Sequence, residues 1–207
     1  MAAGSMPAMK RRTRGFTLME LMVTVALAAA VFGLGVPAFR EFGKNGRLTG
    51  AANEMLVTVM AARNEAVRRQ VRTSFCPSET PDADLAICDI DATQGYIAFI
   101  DTNNNCQRDD GEELVSSFVT HSEIKTANNI SCIGYGPSGF RIPVGGQAAN
   151  ARAVFCDDRG IAKVVDGSDL SYARGVEIVA TGRAAATRLY DDLAFWAAEE
   201  DEPVTCP

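Results

Sequence analysis

The chain has 207 residues, enough for one apolar segment and one globular domain, and its mean hydropathy is near zero. Net charge is −6, but the first 15 residues hold four bases and no acid, so the remainder carries 16 basic against 26 acidic residues, a net charge of −10. That balance argues against a general binder of nucleic acid or anionic lipid. A single histidine, His121, with no nucleophile elbow or Gly-rich phosphate loop beside it, argues against an enzyme.

In chain order, residues 1–15 form a basic leader containing Lys10, Arg11, Arg12 and Arg14, and the sequence leaves open whether translation starts at Met1, Met6 or Met9. From Leu21 to Phe39 there is no charge. About 20 apolar residues, at roughly 1.5 Å each, cross a bilayer core of about 30 Å. The basic flank orients such a segment with its N-terminus in the cytoplasm. Glu20 stands at the mouth of the run. An ionisable group inside a span costs on the order of 2.5–3.5 kcal/mol, so it calls for a role. A plain signal anchor, with Glu20 near the headgroups, is the alternative.

The stretch Gly15-Phe16-Thr17-Leu18-Met19-Glu20 after a basic leader resembles the processing site of type IV pilins and type II secretion pseudopilins. The resemblance implies that a prepilin peptidase cuts between Gly15 and Phe16 and methylates the new terminus. It implies that Glu20 neutralises the terminal amine of a neighbouring subunit. Its partners would be other pilins or pseudopilins and an inner-membrane assembly platform. The protein would cross the bacterial inner membrane once, with a periplasmic C-terminal domain, and then enter a pilus or pseudopilus. Pro37 is an expected helix break, since proline removes a helical hydrogen bond. In that family the helix loosens there, although proline alone also explains a kink.

From Arg40 to about Val71 the pattern becomes an amphipathic helix, with Leu48, Ala52, Met55, Val59, Ala62 and Ala66 three and four residues apart. Gly43, Gly46 and Gly50 suggest a bend before Leu48. Arg68, Arg69 and Arg72 crowd its end, where cations complement the macrodipole. The passage Ala61-Ala-Arg-Asn-Glu-Ala-Val-Arg-Arg, followed by Thr73-Ser-Phe-Cys-Pro-Ser, resembles the helix-to-first-strand region of the GspH/FimT group of minor pilins and pseudopilins. Strand-like runs follow at 95–101, 113–119, 130–135, 151–156, 176–181 and 185–190, with turn-rich connectors at 77–86 and 143–150. Phe155-Cys-Asp-Asp-Arg-Gly160 and Thr181-Gly-Arg183 match the same group.

The fold expected is α+β, a long N-terminal helix packed on an antiparallel β-sheet head. Its parts are a leader at 1–15, a transmembrane or filament-core helix at 16–39, an amphipathic helix at 40–72, a β-rich head at 73–192 and an acidic tail at 193–207. Cys76, Cys88, Cys106, Cys132, Cys156 and Cys206 all follow the apolar segment. Their even number reads as disulfides in an oxidising compartment, and the absence of a C-x₂-C spacing argues against zinc. Six cysteines permit 15 pairings. The expected set is Cys76 with Cys88, Cys156 with Cys206, and by remainder Cys106 with Cys132.

Two constellations suggest ligands. Asp101, Asn103, Asn105, Gln107, Asp109 and Glu112 have the spacing of an EF-hand calcium loop, making calcium a candidate cofactor. Against it, Cys106 stands where glycine makes the sharp turn, and such side chains also suit plain turns. Arg183 and Arg188 raise a DNA-binding minor pilin for natural transformation. Ala184 and Ala185 interrupt the motif, and Asp191, Asp192 and the tail oppose phosphate. Trp196 in the tail is the hint of an adhesive or substrate-contacting tip module. The favoured function is a minor pilin or pseudopilin acting in filament assembly or tip formation, without a cofactor.

Overall fold

The computed structural model describes residues 15–143, 150–198 and 206. The expected leader, except for Gly15, lies outside the described residues, as does most of the tail beyond Ala198. The chain divides into two compact units, at Phe42/Gly43.

Helix α1 (Leu18–Arg69) begins in the first unit, where the large apolar side chains described between Phe16 and Phe42, Leu21, Val25, Phe32 and Phe39 among them, are exposed. A helix apolar all round has its solvent in a bilayer or among other helices, not in water. The helix is unbroken at Pro37, which corrects the expected break there. Proline forfeits one donor, but its fixed φ is itself helical, and the turns on either side hold.

In the second unit α1 becomes two-faced. Leu48, Ala51, Ala52, Met55, Val59, Ala62 and Ala66 are buried, while Asn53, Glu54, Val57, Met60 and Asn64 are exposed. The glycine-rich turns remain helical, clamped by Lys44 to Asp158 (2.6 Å), Arg47 to Glu123 (2.5 Å) and Arg174 Nε to Thr49 Oγ1 (3.2 Å). Gln70, with φ 57°, stops the helix in the left-handed conformation usual for glycine at such an end. Its Nε2 donates to the carbonyl of Val67 at 2.8 Å. Two of the three arginines expected to suit the helix end make specific pairs as well. Arg68 and Arg69 both reach Glu65, and Arg69 also grips Glu113 with two hydrogen bonds of 2.6 and 2.9 Å. These bonds hold the Glu113 carboxyl below its usual range.

The strands form two antiparallel sheets rather than one. Sheet A contains β1 (Thr73–Ser78), β2 (Gly95–Ile100), β3 (Leu114–Val119), β5 (Ile133–Tyr135) and β6 (Arg141–Ile142), in the order β3-β2-β1-β5-β6. Sheet B contains β4 (Lys125–Asn128), β7 (Ala151–Cys156), β8 (Leu170–Ile178) and β9 (Ala184–Leu189), in the order β4-β7-β8-β9. Alternation along each strand sorts the residues by face. Phe75, Tyr96, Ala98, Phe155, Val176 and Ile178 join the α1 stripe in one core. Phe75, Tyr96 and Phe118 stack there, with ring centroids 5.3 and 5.4 Å apart. Burial raises the Tyr96 hydroxyl far above its ordinary value.

The opposite faces are covered too. Cys76, Ile97 and Phe99 meet Ala86, Cys106 and Cys132 on the far side of sheet A. Val154, Cys156 and Ala173 meet Leu193 and Trp196 of α2 (Tyr190–Ala198) on the far side of sheet B. Helix α2 was not foreseen, and the division drawn at residue 193 falls inside it. Disulfides join Cys76 to Cys88, Cys106 to Cys132 and Cys156 to Cys206, one or more on each covered face.

Gly175 is what lets α2 lie so close. A Cβ there would stand 2.4 Å from Trp196 Cζ3 and 2.5 Å from Leu193 Cδ2. Gly175→Ala is therefore expected to lift α2 from sheet B and lower unfolding stability by about 1–3 kcal/mol, read from urea denaturation. An unchanged midpoint would show that α2 is not tightly seated.

Candidate functional site

The site expected at the start of α1 is built by a short cap. Gly15, Phe16 and Thr17 precede the helix, so the Gly15–Phe16 bond lies outside any helix or strand. Thr17 Oγ1 accepts the backbone N–H of Glu20 at 3.2 Å, and the Thr17 carbonyl accepts that of Leu21 at 3.1 Å. Thr-x-x-Glu is the spacing of a capping box, a signal that was present in the sequence but passed over. It gives Glu20 a local role, because an acid in the first turn complements the helix macrodipole. Phe16 and Glu20 are both exposed, followed by the uncharged surface from Leu21 to Phe39. One end of an apolar helix thus presents a peptide bond, an aromatic ring and a carboxylate within six residues.

The acids of the expected calcium loop accept hydrogen bonds from within the loop and from β1. Asp101 is buried, and its carboxylate accepts Ser74 Oγ at 2.6 Å and the N–H groups of Asn105 and Cys106 at 3.1 and 3.0 Å. Glu112 accepts the N–H and hydroxyl of Thr102 through Oε1, and the N–H of Asp109 through Oε2. Asn103 and Asn105 each donate an amide to Asp109 Oδ2 at 2.8 Å. The remaining position, Gln107, donates its backbone N–H to Asn105 Oδ1 at 2.8 Å. Cys106 itself makes the sharp turn, at φ 58°. Among the described residues, no group of three or more His, Cys, Asp or Glu could hold a metal ion.

The DNA candidates are not brought together. Arg183 is exposed in the β8–β9 turn, whereas Arg188 is half-buried and donates its Nε to the Ser171 carbonyl at 3.0 Å. Five strand residues separate them, roughly 16 Å. Arg174 is buried, its Nη1 donating to the carbonyls of Ser171, Tyr172 and Ala173. Gly182 has a structural reason of its own. At φ 84° it makes the turn, its carbonyl accepts the Tyr135 hydroxyl at 3.2 Å, and a Cβ would lie 2.7 Å from Tyr135 Cε1. Burial pushes that hydroxyl up to about 12.

Trp196 is likewise no exposed contact. It is buried on sheet B, with the Arg152 guanidinium 5.3 Å from its ring centre. His121 is exposed, and its Nδ1 accepts the Glu123 N–H at 3.2 Å. Near the start of the head helix, Arg159 binds Asp157 at 2.6 Å and Asn45 at 3.0 Å. Burial acts to raise the Asp157 carboxyl, but the Arg159 bonds prevail and hold it below its usual range.

An exposed apolar helix with a capped acidic start, carrying a two-sheet α+β head, defines a pilin-like subunit. The family described as Type II transport protein GspH matches residues 51–182, and the Prokaryotic N-terminal methylation motif matches residues 10–36. The first match spans well over half of the chain, and the chain belongs to that family. Among solved structures it is similar to the type IV minor pilin FimU of Pseudomonas aeruginosa, at 16% identity, covering 70% of this chain and 92% of that one, with a TM-score of 0.45. It is similar also to the minor pseudopilin EpsH from the Type 2 Secretion System of Vibrio cholerae, at 8% identity, 69% and 97% coverage and a TM-score of 0.44. No curated protein matches. The protein is a minor pilin or pseudopilin of a type IV filament, a structural family that is not enzymatic and has no cofactor.

If the 101–112 loop is a hydrogen-bonded turn, calcium adds nothing to its stability. A cation site filled a hundredfold above its Kd would contribute about 2.7 kcal/mol. The expected result is the same thermal midpoint in chelator and in about 5 mM calcium, a concentration that would saturate most extracellular sites. A rise of several degrees that Asp109→Asn abolishes would restore the metal reading.

Proposed function

We propose that this chain is held in the bacterial inner membrane by residues 16–39, with its head in the periplasm, until an assembly platform draws it into a filament. The observation that carries the reading is the exposure of the large apolar side chains described between Phe16 and Phe42, in a stretch free of charge between Leu21 and Phe39. Burying each large aliphatic or aromatic side chain there is worth about 1.5–3 kcal/mol, which favours a bilayer or a bundle of neighbouring helices over water. Lys10, Arg11, Arg12 and Arg14 would hold the leader on the cytoplasmic side.

In this reading prepilin peptidase cuts between Gly15 and Phe16 and methylates the new amine. Glu20 then faces the terminal ammonium of a neighbouring subunit, and the pairing removes the cost of carrying either charge through an apolar interior. The Thr17 cap would keep Glu20 in a fixed first turn, so the register between two helices is set by position as well as by charge. The disulfides favour the same compartment, because they persist in an oxidising periplasm. The DNA-binding and adhesive-tip alternatives gain no such support, given the separated arginines and the buried Trp196.

The mass of the protein purified from membranes, beside that of a Glu20→Ala variant, tests this reading. The expected mass lacks residues 1–15 and carries one added methyl, and the variant is processed normally but missing from sheared filaments. An intact N-terminus, or a variant that enters filaments as well as the native chain, would contradict it.

A further inference from the structure

The ladder between β8 and β9 is irregular. Leu170 faces Leu189 and Gly175 faces Thr187, and the register shifts between these two pairs. Irregularities of this kind bend a strand and re-aim its side chains. Here Arg174 turns back along its own strand. Its Nη1 donates to the carbonyls of Ser171, Tyr172 and Ala173 at 3.3, 2.8 and 3.0 Å, and its Nε donates to Thr49 Oγ1 at 3.2 Å. From β9, Arg188 Nε donates to the same Ser171 carbonyl at 3.0 Å. Two guanidinium groups from neighbouring strands therefore converge on one oxygen.

Carbonyls satisfy donors but do not cancel charge. Among the described residues, neither Arg174 nor Arg188 forms an ion pair with a carboxylate. Asp157 and Asp166, whose charges reach the pair, are bonded elsewhere: Asp157 to Arg159, and Asp166 to the N–H and hydroxyl of Ser168. Arg174 is only 8% exposed, and a buried charge without an opposite charge is unfavourable. Burial first, then the nearby Arg188 and Arg159, lower its guanidinium to about 10. Arg174 Nη2 and both Nη groups of Arg188 make no hydrogen bond among the described residues. Arg188 is half-buried, so the pair is open to solvent from its side.

We propose that Arg174 and Arg188 bind one phosphate-type oxyanion, which accepts from the Nη groups of Arg188 and from Nη2 of Arg174. Guanidinium forks match the oxygens of such anions. A carboxylate has two oxygens and is filled by one fork, whereas a tetrahedral anion has oxygens for both. The acidic balance of the chain opposes a surface for polyanions but not a single site held by two local charges. Arg183, in the β8–β9 turn, is no part of it. Thr49, which holds Arg174, follows Phe42 by seven residues, so a lipid headgroup is a source of the anion beside free phosphate. The inference concerns the head alone and goes beyond anchoring, processing and assembly.

The test is calorimetric titration of the full chain in maltoside micelles and phosphate-free buffer. Two probes are used: inorganic phosphate, and glycerophosphoglycerol, the water-soluble headgroup of an anionic phospholipid. Binding of one anion per chain is expected, and the tighter probe identifies the source. Arg188→Gln and Arg174→Gln should each weaken binding about tenfold or more, while Arg183→Gln should stay within about twofold of the native chain. Because Arg174 also fills the bend in β8, Arg188→Gln decides the matter if Arg174→Gln does not fold. A native chain that binds neither probe, an Arg188→Gln chain that binds as well as the native one, or an equal loss in Arg183→Gln would each overturn the proposal. None of these results depends on Glu20 or on cleavage after Gly15, so this proposal and the filament reading fail separately.

Discussion

Burial of one stripe of α1 between two sheets is the contact on which the head depends. Leu48, Met55 and Val59 are fully enclosed, each worth about 1.5–3 kcal/mol. The surface ion pairs around them contribute about 0–1 kcal/mol each, so burial sets the fold and the charges adjust it. Ala52, Ala62 and Ala66 keep the rest of the stripe small, which lets both sheets approach the helix. The Thr73 hydroxyl then donates to the Ala62 carbonyl at 2.8 Å, joining the first strand to the helix it has just left.

A helix used on one side by the head leaves both sheets with a second face to cover. Each is closed by a segment with little structure of its own, the loop of residues 77–88 on sheet A and α2 with its tail on sheet B. Such segments bury too little to hold themselves down. A disulfide supplies typically 2–4 kcal/mol by restricting the unfolded chain, on a model-dependent account. The staples at Cys88 and Cys206 therefore tie these covering segments to the sheets. The GspH match ends at residue 182, so β9, α2 and the Cys156–Cys206 staple are built onto the matched part of the fold.

Periodicity made α1 legible, because the spacing from Leu48 to Ala66 reports one buried face directly. The strands with strong β-formers, such as Gly95–Ile100 and Ala151–Cys156, were legible for the same reason. Short β4 and β6 and the polar start of β8 were not, since their places come from pairing with neighbours rather than from their own side chains. Helix α2 was hidden by its acids, whose positions in its first turn suit a helix start, while Leu193 and Trp196 alone carry its buried face. The spacing of the 101–112 loop leaves its role open, because aspartate and asparagine make the same loop with backbone N–H groups as they do with a cation. At the N-terminus the residues were legible, but the capping role of Thr17 emerged only from its bond to Glu20.

The account rests on α1 exchanging one apolar environment for another while the head stays folded. The most direct measurement places a photo-crosslinking residue at Leu27, an exposed position in the middle of the uncharged surface. Crosslinking is carried out in cells before and after filament assembly. The account expects lipid adducts before assembly, replaced afterwards by a bond to the apolar helix of another filament subunit. A position that crosslinks to neither, in a chain recovered without membrane or filament, would contradict it.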